Sequence, residues 1–190
     1  MLEFPDEVVE ETEGIIDGIR DAGVSLTMTE LDRDIDAEDL LLSNAAADLF
    51  GVYFGCSSIS AWGAATENDA TLHGELAMVR DLDWGYAGGE ADLRDYPLIL
   101  VRDPSDPTKQ PWVSIGFPGW VGCLSCFNVT GIGAFQNQGN TPTMLGEIET
   151  DPTPVPIHMS MRRGIEGRDL DGDGQETLHD VEYAVASAGR

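Results

Sequence analysis

The stretch F-G-C-S-S-I-S-A-W-G, residues 54–63, marks the point where the chain changes from helical to strand-like patterning. Upstream of it, apolar residues recur at helical intervals, whereas within it they alternate with small polar residues as in a strand. The stretch places Cys56 directly after Gly55, and R-D-L-D-W follows at residues 80–84. These two segments are where the sequence predicts the chemistry of the protein to lie.

Cys56 has the sequence context of a nucleophile that frees its own amino group. A thiol that attacks the preceding peptide bond needs room, and Gly55 provides it. After cleavage, Cys56 would carry both the nucleophilic sulfur and a free α-amine, which can act as its general base. The alternative is a small buried hydrophobic residue on a strand, the usual situation of a free cysteine.

Hydrophobic spacing predicts helices towards both ends of the chain and antiparallel strands between them. The predicted helices cover residues 6–23, 36–50, 157–167 and 178–188, and Asp36 is the predicted N-cap of the second. The predicted strands cover residues 56–62, 72–79, 96–102, 112–117, 121–128 and 132–136, the first two forming a hairpin. This order is typical of a layered α+β domain.

Three segments together resemble the N-terminal nucleophile (Ntn) hydrolases. They are G-C-S-S-I-S-A-W-G (55–63), L-H-G-E-L-A-M-V-R-D-L-D-W (72–84) and F-N-V-T-G-I-G-A-F-Q-N (127–137). The similarity is greatest to the penicillin acyl-coenzyme A acyltransferase-like branch, with choloylglycine (bile-salt) hydrolases and penicillin V acylases as more distant relatives. It covers about residues 4–140, and the part before Cys56 is similar to that family's propeptide. The resemblance implies autocatalytic cleavage between Gly55 and Cys56, a four-layer αββα sandwich and an amide substrate.

The resemblance also assigns roles to individual residues. Cys56 matches the nucleophile, Asp83 the aspartate that orients its amine, and Arg80 an arginine beside the nucleophile. Asn137 matches an asparagine that holds the substrate or the oxyanion. An arginine cation near a cysteine favours the thiolate. The alternatives are a surface salt bridge for Arg80 and Asp83, and a turn for Asn137. Asn128 is expected to shape a turn.

The chain departs from the family pattern in two places. Asp81-Leu82 stands where family members commonly have an asparagine before the aspartate, which adds a negative charge. Family members also continue with further strands that supply another asparagine, and no counterpart follows residue 157. The sandwich is therefore expected to be incomplete in these 190 residues. The predicted divisions are a propeptide-like segment (1–55), an Ntn core (56–157) and a helix–calcium loop–helix (158–190).

The segment D-L-D-G-D-G-Q-E-T-L-H-D, residues 169–180, has the spacing of an EF-hand-type calcium loop. Asp169, Asp171 and Asp173 occupy loop positions one, three and five, Gln175 offers its carbonyl at position seven, and Asp180 stands at position twelve. The aspartate at position twelve resembles dockerin-type loops. We expect a single structural Ca²⁺ site that ties the flanking helices together; the alternative is an acidic solvated turn. No organic cofactor is predicted.

The charge of the chain limits the classes of partner. There are 35 acidic and 10 basic residues, which give a formal net charge of −25. This balance opposes binding to nucleic acid or to an anionic membrane surface. It suits a high-salt environment, where screening weakens self-repulsion. The acidic amino terminus is unlike a signal peptide, and the sequence has no apolar run long enough to cross a membrane. The sequence does not indicate the cellular compartment.

Three functions are compatible with these features. The first is an autocatalytically processed cysteine amidohydrolase or acyltransferase that acts on a small amide, with residues 1–55 staying bound after cleavage; an oligomer is compatible with it. The second is an inactive relative that serves as a calcium-stabilised binding module. The third is a thiol redox protein that uses Cys123 and Cys126. For this pair, however, we expect two strand cysteines with no special role, and a disulfide is a lesser alternative.

Overall fold

The computed structural model describes residues 2–49, 55–83, 95–137 and 154–188. Within these ranges the chain is a mixed α+β structure, as predicted, with helices at both ends and three small antiparallel sheets between them. The helices are α1 (Asp6–Asp21), α2 (Ala37–Asn44), α3 (Ala46–Leu49), α4 (Ile157–Glu166) and α5 (Leu178–Ala186). The strands are β1 (Thr27–Met28), β2 (Arg33–Asp34), β3 (Gly55–Ala61), β4 (Ala77–Asp83), β5 (Leu98–Arg102), β6 (Trp112–Gly116), β7 (Ser125–Asn128) and β8 (Gly133–Phe135).

The largest sheet is built from β5, β6, β7 and β8, each antiparallel to the next. One face carries Trp112 and Cys126, which pack with Met161 and Ile165 of α4 in the main core. The opposite face carries Ser125, because side chains alternate along a strand. Arg80 of the β3–β4 hairpin reaches Ser125 there. The sheet therefore lies between a helical layer and the hairpin.

The amino-terminal helices pack against this central unit. Val8, Thr12 and Ile16 recur at intervals of four along α1 and are its buried residues. Val8 joins Val121 and Met159 in a second core cluster. At the start of α2, Asp36 is the N-cap with a full capping box, which confirms the prediction from the sequence.

Several element boundaries differ from the prediction for physical reasons. β4 begins at Ala77 rather than Leu72, because the chain turns through His73 (φ 48°) and Gly74 (φ 94°) before it can extend. The hydroxyl of Thr66 closes this turn by donating to the carbonyl of Glu75. The predicted helix 36–50 is interrupted at Ala45, and Phe50 lies outside the described residues.

β7 is shorter than the strand predicted for residues 121–128 and begins only at Ser125. The amides of Val121 and Gly122 donate to the side chain of Asn44 rather than to a neighbouring strand. Among the helices in the described ranges, none combines the length and the apolar character that crossing a membrane requires.

Candidate functional site

Cys56 and Arg80 are brought together by the pairing of β3 with β4. The antiparallel register aligns Cys56 with Leu82 and Ser58 with Arg80, so all four residues belong to one face of the hairpin. Nη2 of Arg80 lies 3.4 Å from Sγ of Cys56. Cys56 is a free cysteine and is partly exposed, which distinguishes it from a core cysteine. The predicted proximity of Arg80 to the sulfur is present in this geometry.

The Arg80 guanidinium is held in place from the large sheet. Its Nη1 donates to Oγ of Ser125 at 3.0 Å, and its Nη2 donates to the carbonyl oxygen of Gln136 at 2.5 Å. Burial lowers the pKa of Arg80, and the interaction with Cys56 offsets only part of that effect. Among the side chains that the structure describes, no carboxylate pairs with Arg80. A thiolate at Cys56 would supply a counter-charge for this cation.

Asn137 lies beside the same face of the hairpin. Its Nδ2 donates to Oγ of Ser58 at 2.6 Å, and Ser58 is two residues beyond Cys56 on β3. Residues two apart on one strand lie on one face, roughly 7 Å from each other. An amide nitrogen carries two hydrogens, so Asn137 could donate one to Ser58 and the other to a bound group. Its predicted role at the oxyanion remains a prediction.

Asp83 is predicted to orient the amine of Cys56, and Asn128 is predicted to shape a turn. Asp83 ends β4, where its backbone pairs with Gly55 at the proposed cleavage junction, and its side chain lies outside the description. Asn128 is buried, and its Oδ1 accepts from the amide of Ile132 and the hydroxyl of Thr130. Asn128 therefore shapes the β7–β8 turn, as predicted.

A cavity of about 320 Å³ opens between the hairpin and the large sheet. Ser125, which holds Arg80, lines it, and the remaining lining residues include Met78, Ile115, Phe127 and Phe135. Its size is at the lower end of the range usual for small-molecule sites, and a mostly apolar lining with a few polar groups is typical of them. The cavity could accept an apolar group close to the Cys56–Arg80 pair.

Cys123 and Cys126 form a disulfide, so the expectation of two unremarkable cysteines is wrong. Their Cα atoms are 5.7 Å apart, which suits a disulfide. Both residues are buried in the core with Trp112, Met161 and Ile165. Thiol–disulfide exchange needs access to a sulfur atom. The burial therefore favours a structural disulfide over the redox function considered above.

The acidic segment 169–180 forms a loop between α4 and α5. Ligand atoms of Asp169, Asp171 and Asp173 all lie within 4.8 Å of one another, and the three side chains are exposed. Oδ1 of Asp169 accepts from the amide of Gly174, and Oδ1 of Asp171 accepts from the amide of Asp173. Oδ1 of Asp173 accepts from the amide of Gln175. A second oxygen remains on each carboxylate, so the donor set fits a hard divalent cation.

The last predicted ligand, Asp180, is engaged within the loop itself. Its Oδ1 accepts from the amides of Leu170 at 2.5 Å and Asp171 at 3.4 Å, and its Oδ2 accepts from Thr177 at 2.8 Å. Asp180 is buried, and it completes a capping box at the start of α5 with Thr177. In this geometry Asp180 closes the loop. The roles of Asp180 and of the Gln175 carbonyl as ligands stay predictions.

Sequence reasoning missed the residues that hold Arg80. Ser125 lies 45 positions along the chain from Arg80, and the contact to Gln136 uses a main-chain oxygen that no side-chain pattern reveals. Alternation along β7 could have indicated that Ser125 points away from Cys126. The side chain of Gln136 is itself contacted at 3.2 Å by Nε2 of the buried His158, which supports that end of the site.

Comparisons with known proteins give limited matches. No family model matches the chain, and no solved structure matches it. The chain is 30% identical over 73 residues, 38% of its length, to Protein dcd1B of Dictyostelium discoideum. It is 30% identical over 139 residues, 67% of its length, to an uncharacterized protein of Archaeoglobus fulgidus. The chain spans only 13% and 21%, respectively, of the length of these two relatives.

Proposed function

We propose that the chain carries the nucleophile-bearing core of an Ntn-type cysteine amidohydrolase or acyltransferase. The observation that carries the proposal is the 3.4 Å contact between Nη2 of Arg80 and Sγ of Cys56. Cys56 directly follows Gly55 in the sequence. A cation fixed beside a partly exposed thiol is the environment in which cysteines become reactive. The nearby Asn137 amide and the apolar cavity supply a candidate donor and a candidate substrate pocket.

The first reaction is cleavage of the chain by its own thiol. The Cys56 sulfur attacks the carbonyl carbon of Gly55, the carbon–nitrogen bond breaks, and the Cys56 nitrogen takes up a proton to become an α-amine. The product is a thioester between the Gly55 carbonyl and the sulfur. Water then hydrolyses this thioester, leaving a Gly55 carboxylate and a free thiol. The glycine in front of the nucleophile leaves space for the attack.

The second reaction uses the freed residue on an external amide. The Cys56 sulfur attacks the acyl carbon, its α-amine serves as base, and the leaving amine departs with a proton. Water resolves the acyl-enzyme in a hydrolase, and an amine resolves it in an acyltransferase. Asp83 orients the α-amine, and Asn137 donates a hydrogen bond to the oxyanion. Loss of one such donor costs roughly 3 kcal/mol in the transition state.

We extend the proposal to the fold. In this proposal, the helical layer, the large sheet and the β3–β4 hairpin would be three of the four layers of an αββα sandwich, and the contacts of the large sheet with both neighbours support it. The outward face of the hairpin carries Ile59 and Val79, which are paired in register and 74% and 67% exposed. These two apolar residues are compatible with a further layer on that face. A second helical layer on this face would complete the sandwich.

The test is the intact mass of the freshly purified protein with Cys56→Ala beside it. Two fragments that fit a break between Gly55 and Cys56 in the wild type, and one intact chain in the variant, are the expected result. Ser57→Ala is the matched control, because it changes the next residue of β3 and should leave cleavage intact. An uncleaved wild-type chain would contradict the enzyme proposal.

A calcium-stabilised binding module is the second candidate, favoured by the cluster of Asp169, Asp171 and Asp173. The proposed Ca²⁺ would relieve repulsion among these carboxylates and fix the loop between α4 and α5. Calcium suits the site better than magnesium because the loop offers several flexible oxygen ligands. A ligand present at about 100 times its dissociation constant stabilises the fold by about 2.7 kcal/mol. The melting temperature should therefore rise with calcium.

This calcium proposal is tested by thermal unfolding with and without Ca²⁺. Asp171→Asn should abolish the rise in melting temperature, and Asp17→Asn, an exposed change on α1, should preserve it. An identical melting temperature for the wild type at all calcium concentrations would overturn the proposal. Mass analysis and thermal unfolding together separate the two candidate functions, since each reports on one of them.

A further inference from the structure

The disulfide of Cys123 with Cys126 closes a ring over residues 123–126, at the start of β7. Cys126 and Ser125 are neighbours on that strand, so their side chains lie on opposite faces of the large sheet. The disulfide lies on the face covered by α4, in the main core. Ser125 lies on the face covered by the hairpin, where its Oγ accepts from Nη1 of Arg80 at 3.0 Å. This disulfide ring therefore joins the core to the candidate site.

The second acceptor of the Arg80 guanidinium is tied to the same disulfide ring. The amide of Gln136 donates to the carbonyl of Leu124, inside the ring, at 3.2 Å. The carbonyl of Gln136 accepts from Nη2 of Arg80 at 2.5 Å. The partner of Ser125 across the β7–β8 ladder is Phe135, the residue before Gln136. The position of the cation thus depends on how firmly residues 123–126 are held.

Both acceptors lie where the ladder of the large sheet ends. Ser125 is the first residue of β7, and Gln136 directly follows the last residue of β8. Strand ends open more readily than strand interiors, because fewer backbone hydrogen bonds hold them. Cys126 lies one residue further into β7 and is paired with strands on both sides. The disulfide therefore fastens Cys123, which precedes the strand, to a residue inside the ladder.

Cys123 is itself anchored from the helical layer. Its amide donates to the carbonyl of His158 on α4 at 2.9 Å, and its side chain is buried. Nε2 of His158 also lies 3.2 Å from Oε1 of Gln136. A disulfide restricts the conformations open to the segment that it closes. The covalent bond therefore extends this anchorage from Cys123 across Ser125 to Cys126.

We propose that the disulfide is a positioning element for Cys56. It fixes Ser125 and Gln136, and these two residues fix the Arg80 guanidinium beside the sulfur. A neighbouring cation favours the thiolate form of a cysteine. Loss of the disulfide should therefore lower the reactivity of Cys56, although the disulfide lies on the other face of the sheet. A matching decrease in the rate of self-cleavage rests on the proposed function, whereas the effect on thiol reactivity does not.

The test is the rate at which iodoacetamide alkylates Cys56 at neutral pH in the folded protein. Iodoacetamide reacts with the thiolate, so the rate reports the thiolate fraction. The double variant Cys123→Ala/Cys126→Ala should be alkylated about 5-fold more slowly than the wild type, the scale of one lost hydrogen bond. Ile165→Val is the matched control, because it reduces packing in the same core cluster and leaves the disulfide in place. Equal rates with and without the disulfide, or an equal decrease in the control, would overturn the proposal.

The same comparison in an Arg80→Gln background separates positioning from a general loosening of the fold. If the disulfide acts through Arg80, its removal should not change the alkylation rate further in that background. A second decrease of about 5-fold there would show that the disulfide acts on Cys56 by another route, and would contradict the proposal. Whole and cleaved chains differ in mass, so rates are compared within one form. A wild-type chain that stays whole speaks against the proposed function and leaves this comparison intact.

A measurement on the wild type decides the proposal if the double variant does not fold. The amide of Gln136 lies beyond the last residue of β8, but the disulfide ring should protect it from hydrogen exchange as strongly as the amides of the β6–β7 ladder. If Gln136 exchanges about 100-fold faster than those amides, this end of the sheet opens freely, and the disulfide does not fix the acceptors of Arg80.

Discussion

Arg80 and Cys56 lie on adjacent strands of one hairpin, with Nη2 of the arginine 3.4 Å from Sγ of the cysteine. The arginine is not a flexible surface cation, because its Nη1 also donates to Ser125 and its Nη2 also donates to the carbonyl of Gln136. Ser125 lies on β7 and Gln136 directly follows β8, so the packing of the hairpin on the large sheet determines where the positive charge lies.

Replacement of Arg80 by glutamine should slow self-cleavage by about 100-fold, the scale of effect expected when a group that stabilises charge at the reacting atoms is removed. The appearance of the 1–55 fragment after refolding, followed by intact mass, measures this rate. Arg20→Gln is the control, since Arg20 forms an exposed pair with Asp17. Such surface pairs contribute little to stability. Equal cleavage rates in the wild type and Arg80→Gln would exclude the proposed role of Arg80.

Ser125→Ala should have a smaller effect on the same rate. It removes one of the contacts of the Arg80 guanidinium and leaves Cys56 unchanged. A single hydrogen bond contributes about 1 kcal/mol, so we expect cleavage to slow roughly 5-fold without loss of folding. Ser57→Ala on β3 serves as comparison. A Ser125→Ala protein that cleaves at the wild-type rate would show that Ser125 does not position the arginine.

The sequence predicted the parts of the site that depend on local patterns. Gly55 before Cys56 and the alternation after it predicted the strand, and Asp36 predicted the start of α2. The hairpin partner was placed about five residues too early, because the turn at His73 and Gly74 delays the second strand. With that shift, Arg80 lies inside β4 rather than at its end.

Contacts between distant segments could not be predicted in this way. Glu11 is one of 35 acidic residues, and nothing in its surroundings in the sequence distinguishes it from an exposed one. Its importance comes from Arg102 and Arg162, which reach it from β5 and α4. The disulfide of Cys123 with Cys126 is different, since it joins residues only three apart; their spacing is compatible with a disulfide but does not distinguish it from two free thiols. The hydrophobic periodicity of a single sequence does not show which distant segments contact each other.

Asn44→Ala should strongly destabilise the fold. The Asn44 side chain is fully buried, accepts from the amides of Val121 and Gly122, and donates to the carbonyls of Leu40 and Gly119. Leaving buried amides without partners costs about 1–3 kcal/mol each. We therefore expect the free energy of unfolding, measured with denaturant, to fall by several kcal/mol. Ser43→Ala, an exposed change on the same helix, should be nearly neutral, and a similarly small effect at Asn44 would contradict this account.

The stabilisation from Glu11 should depend on pH. Burial acts to raise the pKa of Glu11, but hydrogen bonds and the charges of Arg102 and Arg162 outweigh it, so the pKa lies below its ordinary value of 4.5. A carboxyl with a lowered pKa stabilises the fold fully above its unfolded-state value and loses this contribution as the pH falls through the folded-state value. The groups that face or adjoin Glu11 on the packed elements are Arg102, Arg162, Glu166, Lys109 and Glu7.

We therefore expect Glu11→Gln to reduce the free energy of unfolding by about 3 kcal/mol at neutral pH, the lower end for removing one partner of a buried pair, because Glu11 is partly exposed. The difference from the wild type should stay constant above pH 4.5 and shrink below it. Denaturant unfolding across this pH range measures it, with Glu10→Gln as the control. A difference that grows on acidification would have the wrong sign for this mechanism.

Gly164→Ala should disrupt the packing of α4 on α5. A Cβ atom at Gly164 would lie 2.6 Å from Cα of Val181 and 3.2 Å from its Cβ, which forces one helix to move away from the other. Overpacking of this kind costs about 1–3 kcal/mol. Gly14→Ala is the matched control, since nothing lies within 4 Å of a Cβ there. In a helix interior, alanine is favoured over glycine by up to about 1 kcal/mol. The two substitutions should therefore shift the unfolding midpoint in opposite directions, and stabilisation by both would show that α4 and α5 are not in close contact at Gly164.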